Sequence, residues 1–181
     1  MRDTVLQTRA LTKQYGASRA VDNVNMTVRQ GDIYGFIGQN GAGKTTLIRL
    51  VTGLIGATKG EVALFGQTGN GPLADMRKRI GCIVEGSAFY PKMTAEQNLE
   101  YYRIQRGIPD KAAVQRALAT VKLTGTGRKK YQQFSLGMKQ RLGLALAIMG
   151  KPDFLILDEP INGLDPMGIV EFRSILQELN Q

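Results

Sequence analysis

Residues 33–50 constrain this chain more than any other stretch. They read I-Y-G-F-I, then G-Q-N-G-A-G-K-T-T, then L-I-R-L. The first part is apolar and uncharged, the pattern expected of a strand buried on both faces of a parallel sheet. In the middle, Gly38, Gly43, Lys44 and Thr45 stand at the spacing of a phosphate-binding loop. Gly38, Gly41 and Gly43 carry no Cβ, so the chain can turn tightly and aim successive N–H groups at an anion. The segment Gly38, Gln39, Asn40, Gly41, Ala42, Gly43, Lys44, Thr45 and Thr46 is the expected phosphate cradle. It leads into a helix over residues 44–53 whose positive end points at the same place. Lys44 supplies a mobile cation for β- and γ-phosphates, and Thr45 a hydroxyl ligand for Mg²⁺.

With 181 residues the chain has room for one domain, or one domain and a small subdomain. No apolar run reaches the roughly 20 residues of a membrane span, and no apolar signal segment follows the start. The lone cysteine, Cys82, reads as a buried strand thiol in a reducing compartment. A net charge of +9 raises the question of nucleic acid. The basic residues are scattered, however, and carry no aromatic-interleaved stripe, so no nucleic acid is expected.

Residues 5–12 and 21–28 alternate as two half-exposed strands around a turn. Tyr15, in that turn, is left open by spacing between stacking on a base and ending a strand, with the strand end favoured. A short strand is expected over 61–65, a turn-rich loop over 66–72, and another strand over 80–84. From 90 to 150 the pattern becomes helical. Thr94 with Gln97 forms a capping box, Asp110 is the expected cap of a second helix, and Ser135 caps a third that is apolar almost all round. Residues 154–157 form a second buried strand that ends on Asp158-Glu159, where parallel sheets place ligands. Asp158 is the expected Mg²⁺ carboxylate and Glu159 the group orienting a water. The last segment is helical in spacing and stops without a capping glycine, which reads as a fragment of a longer protein.

Together with F-S-L-G-M-K-Q-R at 134–141, these motifs resemble the nucleotide-binding subunit of an ATP-binding cassette (ABC) transporter. The resemblance runs from about residue 5 to 181. It implies an α/β fold with a P-loop NTPase core: a mostly parallel sheet flanked by helices, an N-terminal antiparallel β part, and an inserted helical subdomain. Residues 1–86 and 151–181 are then the nucleotide-binding core, and 87–150 the helical subdomain carrying the signature loop. ATP and Mg²⁺ are the implied cofactors. Ser135 and Gly137 keep positions that contact the γ-phosphate held by an opposite subunit, whereas Leu136 and Met138 depart from the commonest glycine and glutamine. Tyr15 matches an adenine-stacking aromatic, and Asp165 in N-G-L-D a subunit contact.

Glu85 stands where the family usually has a glutamine touching Mg²⁺ and the attacking water, so it joins Asp158 and Glu159 among the expected catalytic groups. Together with the F-Y-P run, the signature is most similar to the subfamily exporting, or conferring immunity to, bacitracin and lantibiotic peptides. The implied partners are a transmembrane permease and a second nucleotide-binding subunit, identical or related, on the cytoplasmic face of the membrane. The family's switch histidine has no counterpart, because the chain contains no histidine. Weak ATP binding and poor hydrolysis by these residues alone are therefore expected. A soluble ABC ATPase acting on ribosomes or DNA is the alternative. A GTPase or kinase is disfavoured, since no N-K-x-D motif is present.

Overall fold

The computed structural model describes residues 2–84 and 88–180. Backbone proximity divides the chain into two compact units, Met1–Ile80 and Gly81–Gln181.

The first unit is built on an antiparallel hairpin, β1 (Thr4–Tyr15) and β2 (Ser18–Arg29), with β3 (Lys59–Leu64) on the other edge of β1. Leu6 stands at the centre of the sheet, opposite Val28 on one side and Leu64 on the other. The β1 ladder is interrupted by a register shift between Thr8 and Leu11. The buried Thr8 hydroxyl bridges it, donating to Val24 C=O at 2.9 Å and accepting from Met26 N–H at 3.1 Å. A side-chain oxygen thus replaces backbone pairing that the bulge removes. Helix α1 (Lys44–Thr52) buries Leu47, Leu50 and Val51 and ends on left-handed Gly53. The guanidinium of Arg77, at the end of α2 (Asn70–Arg77), donates to Val51 C=O at 3.3 Å and so covers the negative end of α1.

In the second unit, β4 (Ile80–Ile83) pairs with β5 (Phe154–Leu157). Their carboxyl ends lie together, Asp158 N–H donating to Ile83 C=O at 2.9 Å, so the two strands run in the same direction. Around them are α3 (Ala95–Gln105), α4 (Ala113–Thr120), α5 (Leu136–Ile148) and α6 (Pro166–Leu179). Helix α5 buries every residue from Leu142 to Ala147, as its wholly apolar second half must. Leu99 of α3, Val121, and Phe172 and Ile175 of α6 close on it to make one core.

Several expectations are corrected. Residues 33–37 are irregular, lie in neither sheet, and expose Ile33 and Ile37 at 67% and 94%. An apolar run states what a segment would bury if neighbours flanked it; among the described residues β4 and β5 pair only with each other. The glycine-rich stretch after β3 is not wholly loop, since α2 starts at Asn70 behind Gly69. Asp110 does not cap α4, whose N-cap is Ala112; it accepts from Ala112 N–H at 2.9 Å and pairs with Arg116. An aspartate three residues ahead of a helix can accept from the backbone N–H two residues on, closing a turn, as readily as it can cap. Cys82 is only partly buried. Glu85 lies outside the described residues. Among the described residues no helix is long and apolar enough to cross a membrane.

Candidate functional site

In the first unit the loop from Gly38 to Thr46 coils around its own lysine. Lys44 Nζ donates to the carbonyls of Gly38 at 2.9 Å and Gln39 at 3.0 Å, and Ala42 N–H closes a turn on Gln39 C=O at 3.1 Å. Gly41 and Gly43 are left-handed, at φ +82° and +87°. Gly43 also presses against β2, where a Cβ would lie 2.0 Å from Ala20 C=O. Only glycine fits both demands. Gly43 is at the same time the N-cap of α1, so the first turn has no side-chain cap and no acidic residue. A helix start of this kind, with a lysine and a glycine-formed curve before it, is shaped to attract an anion.

Asn40 and Gln39 lie on the exposed rim of the loop, while Thr45 and Thr46 enter the first turn of α1. The hairpin end carrying Tyr15 abuts the same place, since Tyr15 pairs with Ser18 two residues before Ala20. The Tyr15 ring is 52% exposed, with Lys13 Nζ 5.1 Å from its centroid. One face is thus occupied by a cation and a broad aromatic surface is open to stacking.

The second unit holds two further groups. Asp158 and Glu159 follow β5 directly. Glu159 has φ +44°, unusual for a side-chain-bearing residue, and is held there by Asn162. Asn162 Nδ2 donates to Glu159 Oε2 at 3.1 Å and its backbone N–H donates to Glu159 C=O at 3.1 Å. A left-handed glutamate fixed by its neighbour is the kind of local strain found at working sites.

Beyond this turn, the amino ends of α5 and α6 share a groove of about 410 Å³, lined by Ser135, Gly137, Arg141, Gly163, Asp165 and Glu171 among others. Ser135 Oγ accepts from Met138 N–H at 3.3 Å, and Asp165 Oδ1 accepts from Gly168 N–H at 3.2 Å, so each side chain caps its own helix. Three residues singled out from sequence, Ser135, Gly137 and Asp165, therefore meet in one concavity. Arg141 and Glu171 had not been singled out; each lies six residues beyond the capping residue of its helix, a matched offset that sequence displays without showing that the helices adjoin.

The first unit thus holds a cradle of backbone N–H groups with a lysine and the Thr45 hydroxyl, and the second unit holds the Asp158 carboxylate; these are donor and acceptor types that a magnesium nucleotide uses. Fold and loop together define a P-loop nucleotide-binding domain. The profile of the ABC transporter family matches residues 21–162. The chain belongs to the ABC transporter family.

It is 48% identical over 176 residues to the bacitracin transport ATP-binding protein BcrA of Bacillus licheniformis, covering 97% of this chain and 58% of that protein. It is 39% identical to the lantibiotic transport ATP-binding protein SrtF of Streptococcus pyogenes, covering 96% and 74% respectively. Among solved structures, cbiO1 of Clostridium perfringens, part of the ABC transporter complex cbiONQ, matches with a TM-score of 0.86 at 25% identity, covering 98% of this chain and 74% of that one. The chain thus spans a little over half the length of BcrA.

Proposed function

We propose that this chain is the ATP-binding part of an exporter of bacitracin- or lantibiotic-like peptides, working as a head-to-tail dimer under a membrane permease. The observation that carries the reading is the groove at the amino ends of α5 and α6, a second surface built at helix amino ends on the same chain as the Lys44 loop. Two such surfaces on one molecule suit a ligand gripped by the loop of one copy and the groove of another.

In this reading Tyr15 stacks on the adenine, and Gly38 to Thr46 with Lys44 hold the β- and γ-phosphates. Thr45 and Asp158 would hold a magnesium ion, with Glu85 proposed as a further group acting on it, and the bound ion would neutralise charge that develops on the phosphates. Glu159 orients the attacking water, its carboxylate fixed by Asn162. Ser135, Gly137 and Asp165 close over the γ-phosphate of the opposite copy. Residues 87–150 act as a helical subdomain that couples the nucleotide core to the permease, and Glu85 takes part in that coupling. The protein would sit on the cytoplasmic face of the membrane. With no imidazole of their own, these 181 residues turn ATP over slowly.

The names of the 48% and 39% identical relatives support the peptide cargo. Lys44→Ala should weaken Mg·ATP binding about a hundredfold, the loss of two to three kcal/mol of charge-assisted bonding. Unchanged affinity by titration calorimetry would end the phosphate-loop assignment. For the cargo, expression of the full-length protein with its permease subunit should raise bacitracin tolerance in a sensitive host, and an unaltered inhibitory concentration for this and for lantibiotic peptides would refute it.

A further inference from the structure

The groove is held in shape by contacts between the two segments that form it. Leu136, just after Ser135, lies over Gly163, where a Cβ would come within 2.8 Å of Leu136 Cδ2. Leu164 returns the contact, its Cδ2 being 3.6 Å from the Cβ position of Gly137. A bulky residue on each segment thus sits over a glycine on the other.

One and two-thirds turns further along, Arg141 Nη1 of α5 lies 3.6 Å from Glu171 Oε2 of α6. The arginine side chain is only 20% exposed, and both residues line the groove. The apolar interlock fixes the spacing of the two amino ends, and the ion pair fixes their rotation about one another. Both capping residues, Ser135 and Asp165, are spent on their own helices. The direction in which the groove presents its N–H groups therefore depends on how the helices are held, not on freely turning side chains.

We infer that Arg141 and Glu171 are positioning residues, which align the first turns of α5 and α6 so that both address one phosphate group. This rests on the head-to-tail reading above. Neither residue touches the nucleotide; they act through Ser135, Gly137 and Asp165. A partly exposed pair of this kind changes an equilibrium about threefold. A two-fold dimer contains the groove twice, so its association changes about tenfold.

The test compares the parent protein with Arg141→Gln, Glu171→Gln and the swapped double variant Arg141→Glu/Glu171→Arg. Two quantities are measured: affinity of the dilute single chain for a fluorescent ATP analogue, and self-association driven by a non-hydrolysable Mg·ATP analogue in the ultracentrifuge. Each single variant should associate about tenfold more weakly while keeping single-chain affinity within about twofold, and the swap should recover most of the loss.

Single variants that associate like the parent, or a swap no better than either single, overturn the inference while leaving the dimer reading intact. A variant whose single-chain affinity falls in step with its association reports general loss of structure, and this too overturns the positioning role. If the parent itself does not associate with nucleotide, the proposed function fails and the inference with it.

Discussion

At Gly43 two requirements coincide: a φ of +87° and backbone so near β2 that a methyl group would lie 2.0 Å from Ala20 C=O. Because the obstacle is backbone, it cannot swing aside as a side-chain tip would. Gly43→Ala should therefore cost about 3 kcal/mol or more and abolish nucleotide binding, read by urea unfolding and titration calorimetry. Gly41 is also left-handed but faces open space, so Gly41→Ala carries only the conformational penalty of about 1 kcal/mol.

Cys82 offers a pH test. Burial, and after it the Asp158 carboxylate, push its thiol up to about 11. The thiolate is the reactive form, so alkylation should be slow at pH 8 and rise steeply only towards pH 11. The linkage has the same sign. Above the ordinary thiol range the unfolded chain loses this proton first, so stability falls as pH climbs from about 9 to 11. Rapid alkylation of the folded protein at pH 8 would contradict this environment.

Single elements show why some of this fold was legible in the sequence and some was not. Capping is local chemistry, and the box at α3 is present in full: Thr94 Oγ1 accepts from Gln97 N–H at 3.2 Å and Gln97 Oε1 accepts from Thr94 N–H at 3.0 Å. Thr94→Ala should cost about 1 kcal/mol, a fall of about 3 °C in melting temperature for a domain of this size. The Ser135 cap, the apolar second half of α5 and the glycine ending of α1 were legible for the same reason. Asn98 was not. It reads as one more polar helix residue, yet it is completely buried. Its amide donates to the carbonyls of Tyr90 and Thr94 and accepts from Tyr90 N–H at 2.8 Å, tying the approach segment to the helix.

Asn98→Leu removes the partner of Tyr90 N–H and the second bonds to the carbonyls of Tyr90 and Thr94, which keep Met93 N–H and Asn98 N–H, and should cost about 2–3 kcal/mol, beyond the loss of the cap. Equal costs for the two variants in urea would contradict the role given to Asn98. Residues 33–37 mark the opposite limit, because their composition records a preference for burial while strand formation needs partners that no local pattern specifies. The groove escaped for a related reason. Ser135, Gly137 and Asp165 each stood out in a motif, but their meeting, and the Arg141–Glu171 pair that spans it, depend on packing between segments about thirty residues apart.

For the molecule as a whole, the proposed sharing of sites between copies has a consequence that neither unit has alone. A Lys44→Ala chain keeps its groove and loses its loop; a Ser135→Arg chain keeps its loop and damages its groove, losing the cap of α5 and placing a long side chain across the helix amino ends. In a head-to-tail dimer each homodimer then has two damaged sites. A mixed dimer combines both defects in one site and leaves the other whole, because the intact loop of the second chain faces the intact groove of the first. With equal amounts and free exchange, about half of the dimers are mixed and each retains one of two sites, so hydrolysis should recover to about a quarter of the parent rate if sites act independently. Recovery well below that level, with some activity still present, measures coupling between the two sites. If both damaged variants exchange into mixed dimers and the mixture stays as inactive as its components, the loop and groove that act together must come from one chain, and the shared arrangement is lost.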